Sequence, residues 1–101
     1  MSPVVTRPPP GEYYAQQGEK MVIECEARGV PTPLIIWRLN WGHIGGPADR
    51  VFYTNDNGRG VLTISQVRKE DEGAYTCEAL NSKGSIFAQP DTILIVNRKQ
   101  S

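Results

Sequence analysis

Redox, thiolate or imidazole chemistry in this sequence could rest on only three side chains: Cys25, Cys77 and His43. Two cysteines and one histidine fall short of the four ligands of a closed zinc site. No activated nucleophile or triad spacing accompanies His43, so it reads as a solvated loop histidine and not as a catalytic base. Neither a metal nor an organic cofactor is expected, and an enzyme is not expected. The cysteine pair leaves two readings, one disulfide across the fold or two buried thiols. The tripeptide Asn57-Gly58-Arg59 has the form of an integrin-type recognition sequence. Asn-Gly is also a preferred hairpin turn, and the turn is the stronger reading.

The elements that position these residues must come from a chain of 101 residues, long enough for one core and too short for two. Hydrophobic residues at 39% and charged residues at 22% lie in the globular range and argue against disorder. Eleven basic and eleven acidic side chains cancel, so no net field draws in nucleic acid or an anionic membrane. The longest apolar run, Leu34 to Trp37, is far too short to insert across a bilayer. Met1-Ser2-Pro3 has neither the charged nor the apolar region of a signal peptide, and reads as the start of a fragment of something larger.

Residues 1–11 carry four of the eight prolines and read as an extended linker. Beyond them the apolar residues recur with period two, and no stretch sustains a helical period. Met21, Ile23 and Cys25 alternate with Val22, Glu24 and Glu26; Ile35, Trp37 and Leu39 alternate with Ile36, Arg38 and Asn40. Trp41 to Pro47 is loop-like. Val51 and Tyr53 begin a short strand ended by Asn55-Asp56-Asn57-Gly58, and Leu62 and Ile64 lie on the next. Arg68 to Gly73 is charged and turn-like. Tyr75, Cys77 and Ala79 mark another strand, Asn81-Ser82-Lys83-Gly84 a hairpin turn, and Ser85 to Val96 a final strand interrupted at Pro90. Six or more short strands at this spacing predict an all-β sandwich or barrel. The domain is expected over residues 12–97, with a polar tail at 98–101.

One constellation narrows the sandwich. Trp37 follows Cys25 by twelve residues on the next strand, and Cys77 ends the run Asp71-x-Gly73-x-Tyr75-x-Cys77. This pattern resembles the intermediate-set (I-set) immunoglobulin domains. The resemblance implies a two-sheet Greek-key sandwich with a Cys25–Cys77 disulfide between the sheets, Trp37 packed on it, and Tyr75 tying a corner. Gly29-x-Pro31-x-Pro33 is similar to the family's turn before the Trp strand, and Arg50 is placed like its arginine that pairs with Asp71. The short link to Val51 leaves little room for the extra strands of a variable domain.

More specific segments are Gly29 to Ile44 (GVPTPLIIWRLNWGHI), Arg59 to Ile64, Glu72 to Ala79, and the final strand with its Pro90-Asp91. These look like the first immunoglobulin domain of the perlecan family of basement-membrane heparan sulfate proteoglycans. The similarity runs over roughly residues 20 to 96 and departs at Gly45 to Asn57 and in the lead-in, as expected of a distant, for example invertebrate, orthologue. It implies a secreted, extracellular matrix protein built of many modules, whose partners are other matrix or cell-surface proteins and neighbouring modules of the same chain. No serine precedes a glycine, so no heparan sulfate attachment site of the family's Ser-Gly type is present, and no Asn-x-Ser/Thr sequon occurs. The alternative is the ligand-binding domain of a cell-surface adhesion receptor. Candidate partner-binding residues are Trp41, as an exposed aromatic anchor or as a cover for apolar surface, and Ile36 with Ile44, as an apolar patch or as packing under a loop.

Overall fold

The computed structural model describes residues 1–44 and 50–98. Among them the strands are β1 (Val4–Arg7), β2 (Glu12–Gln16), β3 (Met21–Arg28), β4 (Leu34–Leu39), β5 (Gly42–His43), β6 (Val51–Asp56), β7 (Arg59–Ile64), β8 (Gly73–Asn81), β9 (Gly84–Phe87) and β10 (Thr92–Asn97). A short 3-10 turn covers Lys69–Asp71. The strands form two sheets: β1-β3-β7-β6, and β2-β10-β8-β4-β5 with β9 also paired to β8. The expected all-β sandwich is the observed architecture. The loop read over Trp41 to Pro47 is described only as far as Ile44, where Gly42 and His43 pair back onto Leu39 and Arg38. Of the tail at 98–101 only Arg98 is described; the remaining positions of both segments lie outside the described residues.

The Pro-rich lead-in is part of the fold, and the linker reading is corrected. Val4 and Val5 pair with Arg28 and Ala27, the register shifts, and Arg7 pairs with Glu26. Val5 packs on the core, and Pro3 and Pro9 are buried. The β-branched run Val4-Val5-Thr6 suits an edge strand, while prolines are excluded only where a ladder needs their missing N–H. Pro8, Pro9 and Pro10 fall where the chain leaves one sheet for the other. There the carbonyl of Pro10 accepts from Thr92 Oγ1, and that of Gly11 accepts from the Ile93 N–H at 3.0 Å. The sandwich therefore begins well before residue 12. The final strand is split as its proline suggests, into β9 and β10 with the Gln89–Pro90 connection between them.

Alternation along each strand builds the core. Met21, Ile23, Cys25 and Ala27 from β3, with Leu62 and Ile64 from β7, face Ile35, Trp37, Tyr75, Cys77, Ala79, Leu94 and Val96 from the second sheet. The sheets approach closely at Gly60, opposite Cys25: a Cβ there would lie 2.3 Å from Ile35 Cγ2 and 2.5 Å from its Cβ. Ile35 is also where Asn55 crosses between the sheets, accepting from Ile35 N–H at 2.6 Å and donating to its carbonyl at 2.9 Å. Those bonds satisfy backbone groups of β4 that have no strand neighbour on that side, which removes the cost of leaving them unpaired.

One end of the sandwich is closed by a polar cluster. Arg50 donates to Asp71 in two parallel bonds, at 2.8 and 3.2 Å, and to the Gln66 carbonyl at 3.1 Å. Asp71 Oδ2 also accepts from the Arg68 N–H at 2.7 Å, and the Tyr75 hydroxyl donates to the Asp71 carbonyl at 2.6 Å. The carboxylate beside Arg50 raises its pKa. Burial, helped by the Asp71 charge, pushes the Tyr75 phenol well above its ordinary range. The folded chain thus keeps a proton that the unfolded chain releases near pH 10, so this contribution is complete below pH 10 and declines above it. Urea unfolding between pH 8 and 11 should show wild-type stability falling by up to about 1.4 kcal/mol per pH unit more steeply than that of Tyr75→Phe above pH 10. Parallel curves for the two proteins would contradict this.

Candidate functional site

The residues with the most chemical potential lie at the centre and are committed to structure. Cys25 on β3 and Cys77 on β8 are joined, with Cα atoms 6.5 Å apart. Trp37, on β4 directly beside Cys77, is 1% exposed. Its Nε1 is buried with no hydrogen-bond partner among the described residues, so the indole acts through its volume. Arg50, Asp71 and Tyr75 are held together as described above, each side chain engaged with another member of the cluster. The His43 side chain lies outside the described residues.

An exposed aromatic feature lies at the outer face of the larger sheet, and it is organised by the β4–β5 hairpin. Leu39 pairs with Gly42 across a two-residue turn of Asn40 and Trp41, with φ of 50° and 67°. Both left-handed angles belong to a type I′ turn, where asparagine fits the first position and glycine is favoured at the second. A tryptophan at that second position is a genuine outlier. Asn40 secures the turn: its N–H donates to the Ala74 carbonyl at 2.8 Å, and its Oδ1 accepts from the Ala74 N–H at 3.0 Å. The strained residue is therefore held by its neighbour.

From this turn the Trp41 ring meets Phe87 edge to face, with centroids 5.1 Å apart and planes at 73°. Trp41 follows β4 and Phe87 lies on β9, so the pair bridges over β8, which runs between those strands. On the same strand β8, Thr76, paired with Arg38, is 1% exposed and its Oγ1 has no partner among the described residues. Trp41 thus folds back over the sheet and yet stays 62% exposed, while Phe87 is 40% exposed. Beside them is a shallow recess of ≈ 250 Å³ lined by Trp41, Phe87, Ala88, Gln89, Pro90 and Asp91.

The other candidates separate. Ile36 is half-buried on the outer face, in one cross-strand row with Glu78 and Phe87. Ile44 packs against the buried core instead, so the two isoleucines do not share a patch. Its two-residue strand follows a tight turn that redirects the chain, and period-two reasoning cannot be carried through such a reversal. Sequence reasoning missed Phe87 and Asp91; the hairpin turn at Asn81 to Gly84 sets Phe87 against Glu78, but nothing local signals the approach of Trp41 from β4. Asn57 and Gly58, with φ of 52° and 85°, form the β6–β7 turn. The neighbouring Arg59 begins β7 and donates through Nε and Nη2 to Glu24 Oε2. That contact raises the Arg59 pKa and occupies its guanidinium.

A family profile described as an immunoglobulin domain matches residues 2–81. The chain belongs to the immunoglobulin-domain family. This immunoglobulin domain is 52% identical over 95 residues to the basement membrane-specific heparan sulfate proteoglycan core protein of Mus musculus, covering 93% of this chain and 2% of that protein. Against the basement membrane proteoglycan of Caenorhabditis elegans the identity is 43% over 96 residues, with 95% and 3% covered. Against human neural cell adhesion molecule L1 it is 48% over 71 residues, with 70% and 5% covered. Among solved structures, the titin M10–obscurin-like 1 immunoglobulin complex superposes with a TM-score of 0.86 at 21% identity, covering 99% of this chain and 98% of that one. That last likeness concerns the fold alone. The resemblance to immunoglobulin domains of basement-membrane proteoglycans holds, and the family and these matrix and adhesion relatives agree with a non-catalytic reading. The immunoglobulin domain spans only a few per cent of the length of these relatives.

The Trp41 backbone yields a direct test. A non-glycine residue in the left-handed region costs about 1–2 kcal/mol, and an aromatic pair adds about 0.5–1.5 kcal/mol. These nearly cancel, so Trp41→Gly should change unfolding free energy by less than about 1 kcal/mol, whereas Trp37→Ala should cost about 3–5 kcal/mol. A loss of several kcal/mol in Trp41→Gly, measured by urea unfolding, would show that Trp41 is a structural residue.

Proposed function

We propose that this domain is a non-catalytic structural and protein-interaction module of a secreted, extracellular basement-membrane proteoglycan, contributing to matrix assembly. The observation that carries this reading is the Trp41–Phe87 pair, an exposed aromatic couple fixed on a rigid sheet by a turn that disfavours tryptophan. Large aromatic side chains with restricted rotamers dominate binding hot spots because they desolvate much area at small entropic cost. The names of the mouse and nematode relatives support the basement-membrane setting. Arg38, Arg50, Arg59 and Lys69 each face a carboxylate, so these four basic side chains are engaged within the module. We infer that its partners are matrix or cell-surface proteins and neighbouring modules of the same chain.

The similarity to human L1 favours a second reading, the ligand-binding domain of a cell-surface adhesion receptor. The same surface would serve, and flanking sequence separates the two: EGF-like or laminin-like modules for the matrix protein, a membrane-spanning helix for the receptor. In a pull-down from basement-membrane extract, the domain should capture matrix proteins, with capture falling about ten-fold or more in Trp41→Ala. Ile36→Ala should weaken it less, and Arg59→Ala should leave it unchanged. Equal capture by wild type, Trp41→Ala and Ile36→Ala would remove this face from the interaction.

A further inference from the structure

We propose that the recess between Trp41 and Asp91 receives an arginine side chain of a partner protein, an inference that rests on the reading of this face as an interaction surface. The lining combines two aromatic rings with one carboxylate and contains no basic residue. Asp91 is half-buried, and its carboxylate makes no hydrogen bond or ion pair among the described residues. Other carboxylates of this sheet have partners: Glu78 faces Arg38 at 3.1 Å, and Glu12 accepts from the Tyr14 hydroxyl. Asp91, just before β10, is thus a carboxylate that the domain leaves without a partner among the described residues.

The charge and shape select the occupant. A carboxylate beside exposed aromatic surface attracts a cation, and a guanidinium satisfies both at once by stacking on an aromatic ring while donating two parallel bonds to the carboxylate. An ammonium is more strongly hydrated and cannot match that planar fork. The edge-to-face geometry of Trp41 and Phe87 leaves much of the indole open for such stacking. At ≈ 250 Å³ the recess is below the usual range for a drug-sized ligand of about 300–1,000 Å³, and suits one inserted side chain. Phosphate-bearing partners are disfavoured by the same carboxylate.

The test uses the whole chain, labelled with nitrogen-15, and titrates it with acetyl-Gly-Gly-Arg-Gly-Gly-amide. The control peptide carries citrulline, which has the shape of arginine without its charge. A saturable shift of the Trp41 indole N–H and of the amides of residues 87–91 is expected with the arginine peptide. Binding should be at least about ten-fold weaker for citrulline, and equally so for Asp91→Asn, whose remaining spectrum reports that the fold is intact. No saturable shift, or equal shifts with both peptides, overturns the proposal. If Trp41→Ala abolishes capture from matrix extract while the arginine peptide leaves the spectrum unmoved, the interaction surface stands and its arginine specificity falls.

Discussion

Two sheets held face to face must be prevented from sliding or separating, and here a covalent bond does so at the centre. The Cys25–Cys77 bridge ties β3 to β8 across the core. Trp37 fills the space alongside Cys77, and Gly60 opposite Cys25 lets Ile35 come in close enough to complete the layer. Each depends on the others for its volume. In a chain of 101 residues the apolar area alone leaves little margin, so a constraint on the unfolded ensemble counts heavily.

Rigidity at the centre is what permits irregularity at the surface. The β4–β5 turn can hold a tryptophan at φ of 67° because β4 is anchored through Trp37 on one side and through Asn55 on the other. Local preference and global fold disagree at Trp41, and such conflicts are sustained where the surrounding structure over-determines the backbone. The polar cluster of Arg50, Asp71 and Tyr75 is rigid in its own way, each side chain being bonded to another member.

The centre was legible in the sequence because its residues combine rare types with fixed strand spacing: Cys25, Trp37, Tyr75 and Cys77. The edges were less legible. Prolines at 3, 8, 9 and 10 set the composition of the lead-in and concealed the short strand Val4–Arg7, since a proline tract in isolation has no sheet to join. Ile36 was placed on the outer face by alternation, but Ile44 could not be placed once the chain had turned. The contact between Trp41 and Phe87 joins residues far apart in sequence and depends on how β9 registers on β8. The hairpin turn at Asn81 to Gly84 fixes that register, but no local pattern brings Trp41, beyond its own turn, against Phe87.

The central claim is that the bridge between residues 25 and 77 supplies a large part of the stability that keeps the two sheets together. Urea unfolding of the Cys25→Ala/Cys77→Ala double variant against the oxidised wild type measures this directly. A closed loop of 53 residues, spanning a sequence separation of 52, predicts a loss of about 4 kcal/mol. A loss below about 1 kcal/mol would contradict the account and move the source of cohesion to the apolar core alone.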